Sequence, residues 1–97
     1  MATTAKYQVE IALTPDARIV LIACLVANLA WDHDRNEQTM YLLPQLRKGN
    51  KITIETAALW SLPYFVRKFR LGSISQYLGL TSAEYDAVEA LFQSAAS

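Results

Sequence analysis

Thr14-Pro15-Asp16-Ala17-Arg18-Ile19-Val20-Leu21-Ile22-Ala23-Cys24-Leu25-Val26-Ala27-Asn28-Leu29-Ala30-Trp31 is the stretch that decides the fold. Thr14 supplies a capping hydroxyl. Pro15 falls at the first helical position, and Asp16 complements the positive end of the helix dipole. Beyond Ala17 only Arg18 and Asn28 are polar. A membrane span needs roughly 20 apolar residues, with about 17 as a lower limit. The unbroken apolar run, Ile19 to Ala27, falls far short of that. A helix apolar nearly all round is a buried helix. The stretch therefore predicts a central helix wrapped by the rest of the chain, with any spare face turned to another molecule.

Working outward, Tyr7, Val9, Ile11 and Leu13 alternate with Gln8, Glu10 and Ala12. This is strand periodicity, and Lys51-Ile52-Thr53-Ile54-Glu55 repeats it. The two can pair as a minimal ribbon, which must pack on helices to persist. Met1 to Lys6 reads as a frayed end. A second helix is expected from about Arg35 to Leu43, with Asp34 and Glu37 in a capping arrangement. Leu42, Leu43 and Leu46 are its core contacts, and Pro44 should kink or end it. Lys48-Gly49-Asn50-Lys51 is a turn. A third helix should begin between Thr53 and Thr56 and run to Leu71, interrupted near Leu62 by Pro63 and stopped by Gly72. Ser73 can cap a short helix over Ile74–Leu78 that ends at Gly79. Thr81 and Glu84 form a capping box for a last helix. That helix should bury Tyr85, Val88, Leu91, Phe92 and Ala95 and expose Ser82, Asp86, Glu89 and Gln93. The expectation is mainly α: one domain over residues 1–97, a compact bundle of four to five helices around the central apolar one.

The chain has 97 residues, 53% of them hydrophobic, a proportion that excludes a disordered segment and leaves little polar sequence to coat a small particle. Some apolar surface is therefore expected to face a partner. Nine basic and nine acidic residues cancel, so net charge gives no reason to expect nucleic acid or membrane. Their distribution is dipolar. Arg47, Lys48, Lys51, Arg67, Lys68 and Arg70 cluster with only Glu55 against them, whereas Glu84, Asp86 and Glu89 meet no base in the last helix. The single cysteine, Cys24, excludes an internal disulfide and reads as a buried small hydrophobe. The N-terminus lacks the pattern of a signal peptide, and a cytoplasmic location is the expectation by default.

The chemistry-bearing residues are sparse. Asp32-His33-Asp34 is the one cluster of metal-type ligands, but a helical zinc site needs ligands one turn apart or several Cys and His. It reads as a polar connector. With one His and one Cys no nucleophile–base pair is in view, and no phosphate-cradling or dinucleotide motif occurs. No enzyme, cofactor or metal is expected.

Ser73 to Val88 looks like a helix-turn-helix unit in its spacing. Ile74 and Leu78 would pack the first helix, Ser75 sits where the helices cross, Gly79 makes the turn, and Tyr85 and Val88 anchor the second. The reading face would carry Thr81, Ser82, Ala83, Asp86 and Glu89, and a carboxylate facing phosphate is repelled. The unit reads as a packing corner. The stronger candidate is Trp60 to Arg70, where bases interleave with aromatics. Tyr64, Arg67, Lys68 and Arg70 share one broad face, while Trp60, Phe65 and Phe69 read as core. With Lys48 and Lys51 these residues form the expected contact set for nucleic-acid backbone or an acidic partner, and the acidic last helix is itself one such partner.

The expected function is non-enzymatic: an interaction or assembly subunit that docks on a protein partner or another copy of itself, its basic face touching nucleic-acid backbone within a larger nucleoprotein complex, with no membrane contact. A helix-turn-helix DNA-binding regulator using residues 73–88 is the alternative. A small inhibitor protein is the third.

Overall fold

The computed structural model describes residues 8–31 and 37–96. Strand β1 (Gln8–Ala12) leads into helix α1 (Pro15–Trp31), and helix α2 (Glu37–Lys48) turns into strand β2 (Lys51–Glu55). A 3-10 turn at Thr56–Ala58 introduces helix α3 (Ser61–Leu71). A 3-10 helix (Ser73–Leu78) then joins it to helix α4 (Ser82–Ala96). The architecture is mainly helical with a two-stranded antiparallel ribbon, as expected. Asp32-His33-Asp34, the expected Asp34 cap and the frayed start lie outside the described residues.

The α1 start obeys its sequence. Thr14 Oγ1 accepts the Ala17 N–H at 3.1 Å, satisfying one of the orphan donors of the first turn. Ala17, Val20, Leu21, Cys24 and Leu25 are buried, and the helix packs on α2, α3 and α4. Its apolarity is greater than its burial requires, and Ile19 and Val26, two turns apart on one face, are exposed. Arg18 accounts for itself: its Nη2 donates to Leu46 O at 2.7 Å, and its Nε lies 3.1 Å from Leu46 O and 3.2 Å from Gly49 O. It binds carbonyls at the C-terminal end of α2, where a helix leaves acceptors without partners.

That tether holds the end of a helix that runs past its proline. Pro44 does not end α2, which continues to Lys48. Proline forfeits one hydrogen bond and crowds the carbonyl four residues before it. Here that carbonyl belongs to Met40, an exposed residue. Leu42 and Leu46 are fully buried on either side, and Arg18 holds the far end. Tertiary packing outweighs the local penalty.

The third helix also starts later than its sequence predicts. Residues 51–55 are committed to the ribbon, so the helix cannot start among them. It starts at Ser61, preceded by the 3-10 turn. Pro63 lies in the first turn, where its missing N–H would have had no intrahelical partner. The interruption falls at Leu59–Trp60, ahead of the proline. Gly72 ends α3 with extended backbone. Ser73 does not cap the second 3-10 helix. Instead Ser75 Oγ donates to Gly72 O at 2.9 Å.

In the ribbon, Val9 faces Ile54 and Ile11 faces Ile52. Ile11, Ile52 and Ile54 are buried against the helices, joining Leu62, Val66, Phe69, Tyr85, Val88 and Phe92 in one core. A large apolar side chain contributes about 1.5–3 kcal/mol by leaving water completely. The capping box at α4 is complete: Thr81 N–H donates to Glu84 Oε1 at 2.7 Å, and Glu84 N–H to Thr81 Oγ1 at 3.1 Å. Leu91 and Ala95 are only half-buried.

Candidate docking surface

Helical spacing distributes the side chains of α3. Leu62, Val66 and Phe69 turn into the core, and Phe65 packs beside them. Trp60, Tyr64, Arg67 and Leu71, spaced four, three and four residues apart, line the opposite face, with Lys68 alongside. Three of these are large apolar side chains left in solvent: Trp60 is 64% exposed, Tyr64 49% and Leu71 86%. The Trp60 and Tyr64 rings lie 6.0 Å apart, and Lys68 Nζ stands 5.9 Å from the Tyr64 ring centroid. Trp60 is thus a surface residue, and its expected place in the core is corrected. The signal that would have found it is the 60/64/67/71 spacing itself, complementary to the 62/65/66/69 core set.

The six basic-face residues divide into two groups. Tyr64, Arg67, Lys68 and Arg70 are all on α3. Lys48 and Lys51 line a shallow hollow of about 660 Å³ with Gln45, Gly49 and Asn50. Lys48 and Arg47 also edge an apolar groove of about 530 Å³ lined by Met40, Leu43 and Pro44. Leu43, expected as core, is half-buried in that groove.

Within the α3 group Arg70 differs from the rest. Its Nη1 donates to Glu89 Oε2 at 2.7 Å and to Asp86 Oδ1 at 2.9 Å, and its Nη2 lies 3.3 Å from Ser82 Oγ. Its guanidinium stands 5.2 Å from the Tyr85 ring centroid, a cation–π distance. The Glu89 and Asp86 carboxylates that accept its hydrogen bonds hold its pKa above the ordinary arginine value. Arg67 Nε is 3.9 Å from Glu89 Oε1, with its side chain 63% exposed. Glu89, expected in solvent, is held between the two arginines with its side chain only 16% exposed. The acidic stripe of α4 and the nearer edge of the basic stripe of α3 therefore meet inside this chain. No ion pair forms at Arg47, Lys48, Lys51 or Lys68 among the described residues.

The region spaced like a helix-turn-helix begins with a 3-10 helix rather than an α-helix, and Ile74 and Tyr77 on it are exposed. The expected role of Ile74 as a packing residue is corrected. The corner is closed from the other side, where Tyr85 Oη donates to Ser75 O at 2.8 Å. Gly79 makes the turn with φ 75°, a left-handed conformation that glycine adopts without a Cβ clash. Cys24 lies buried under α3, its thiol donating to Phe65 O at 3.6 Å, and burial pushes its pKa up to about 12. A thiol protonated so strongly is no nucleophile at neutral pH.

Comparison with family models, curated proteins and solved structures finds no match, so the functional reading rests on this geometry.

Proposed function

We propose that this chain is a non-enzymatic docking subunit that seats a protein partner on the outer face of α3, through Trp60, Tyr64 and Leu71, with Arg67 and Lys68 selecting an acidic rim on that partner. The observation that carries the reading is the continuous exposed stripe itself. Three large apolar side chains run the length of an otherwise well-packed helix, flanked by bases. Aromatic residues and arginine are the side chains from which interface hot spots are built.

The charge arrangement favours protein over nucleic acid. Asp86 and Glu89 stand beside Arg70, and a phosphate approaching that edge would meet carboxylates. The same contacts weigh against the DNA-binding alternative, since the α4 face that would read bases is turned onto Arg70.

The test is affinity isolation of the chain from its native cells at low salt, followed by binding measurements with each co-purifying component. A folded Trp60→Ser/Leu71→Ser variant should lose the partner, and nuclease treatment should leave wild-type association intact. Retention of every component by the folded variant would remove the α3 face as the docking surface. Release by nuclease would transfer the role to nucleic acid.

A further inference from the structure

The two edges of the ribbon are finished differently. Leu13 N–H donates to Asn50 O, so the bonded rungs recede in steps of two to Ile11–Ile52 and Val9–Ile54. Lys51, Thr53 and Glu55 on β2, and Gln8, Glu10 and Ala12 on β1, then turn their N–H and C=O groups away from the ribbon. The Thr53 pair is closed by a side chain: Thr53 N–H donates to Gln45 Oε1 at 2.7 Å, and Gln45 Nε2 donates to Thr53 O at 3.0 Å. The Gln45 amide completes that rung as a neighbouring strand would. On β1 no described group bonds the outward N–H and C=O of Gln8, Glu10 or Ala12. Among the described elements β2 is the one that packs extensively on β1, and α2 reaches β1 at the Gln8 side chain, through Tyr41 Oη.

An open row of alternating N–H and C=O groups is matched by an extended backbone. We propose that β1 is a self-association edge: two copies of the chain join their β1 strands antiparallel about a two-fold axis at Val9, making one four-stranded sheet. This is independent of the α3 face. The side chains select both occupant and register. An axis at Glu10 sets two glutamates directly opposite each other, which is unfavourable. An axis at Ile11 sets Gln8 against Thr14, where the chain has already left the ribbon and Thr14 is capping α1. An axis at Val9 sets Glu10 against Gln8 of the second copy, a carboxylate facing an amide donor. Gln8 Nε2 gives one hydrogen to Tyr41 Oη, at 3.3 Å, and keeps another. The two Val9 side chains become the close pair between bonded rungs. Val9 is only half-buried within one copy, so this contact covers apolar area the chain leaves uncovered.

The experiment is sedimentation equilibrium of the full chain up to about 1 mM, with two sets of variants. Glu10→Pro removes an N–H that points away from β2, so the internal ladder keeps its bonds. It should be a folded monomer while wild type is a dimer. In a Cys24→Ala background, Val9→Cys should form an intermolecular disulfide on mild oxidation, and Glu10→Cys should do so far less. A wild type that is monomeric throughout overturns the proposal. So does a folded Glu10→Pro that still dimerises. If Glu10→Pro fails to fold, the cysteine pair decides: linkage at Val9 supports the proposal, and preferential linkage at Glu10 or at neither position overturns it. Dimers of wild type disrupted by Trp60→Ser but not by changes at β1 would mean that the second copy binds α3 instead.

Discussion

Arg18→Met is the substitution whose consequence the structure defines best. Methionine keeps the apolar stem and removes the guanidinium. Three donor–acceptor contacts disappear, two to Leu46 O and one to Gly49 O. A hydrogen bond to a charged group contributes about 1.5–3 kcal/mol, and a cation at a helix C-terminus roughly 0.3–1 kcal/mol. Two acceptors lost outright, with the terminal charge, would sum to roughly 3–7 kcal/mol, but the site is part-buried, and water can reach the released carbonyls. A loss of about 2–3 kcal/mol is therefore expected. For a domain of this size each kcal/mol lowers Tm by roughly 4–8 °C, so Tm should fall by about 10–20 °C. Arg18→Lys should recover less than half, because an ammonium cannot span both carbonyls with a planar fork. Urea unfolding gives the free energy, and amide exchange locates it. Protection should fall first in the last turn of α2, which lies just beyond the bond to Met40 O that Pro44 has already removed. An Arg18→Met protein within about 0.5 kcal/mol of wild type would show that packing of Leu42 and Leu46 alone carries α2 past its proline, with no contribution from the Arg18 tether.

Leu25→Ala, at a fully buried position on α1, should cost about 2–5 kcal/mol by denaturant titration; a cost under about 1 kcal/mol would mean that α1 is not central to the core. Arg70→Ala should destabilise by on the order of 1–2 kcal/mol and Lys68→Ala by less than about 0.5. A double-mutant cycle between Arg70 and Glu89 should show coupling, and its absence would reduce the α3–α4 charge contacts to solvated neighbours. Cys24 should resist thiol reagents at neutral pH, and its raised pKa gives stability a pH dependence. Above about pH 9 the unfolded thiol ionises while the folded one stays protonated up to about 12, so stability should fall as pH rises through that window. Buried Tyr85, also shifted upward by desolvation, adds in the same direction. Cys24→Ala should flatten part of the slope, and an unchanged slope would exclude the thiol as its source.

The fold is legible wherever the chain signals locally. Thr14-Pro15-Asp16, the Thr81/Glu84 box and the alternation at Lys51–Glu55 each use only near neighbours, and each forms where the pattern places it. The departures share a cause, which is that distant contacts decide them. Pro44 carries a local penalty, and contacts with α1 overcome it. Pro63 looks like an interior residue only until the ribbon claims Lys51–Glu55 and moves the helix start to Ser61. At the candidate surface, the opposite charges of α3 and α4 are visible in sequence, but not which of them meet. Arg70 is offset around α3 from Lys68 and Arg67, enough to bring it against Asp86 and Glu89 while Lys68 makes no ion pair among the described residues. Nothing near Gln45 announces its role, since its partner Thr53 is reached through the turn at Gly49–Asn50.

Gln45 also bears on how many molecules an assembly could hold. Two open edges on one ribbon would let copies add at either side without limit, the stoichiometry of a fibre. With Thr53 already satisfied, a sheet built by joining two β1 strands would present at both ends a β2 strand whose middle outward rung is closed. A strand adding at those margins would lose its central pair of bonds, so growth would stop at two chains, and a single glutamine side chain would set that number. Gln45→Ala would change the arithmetic: each pair would regain two reactive margins, and slow polymerisation, followed by light scattering, would replace a finite particle.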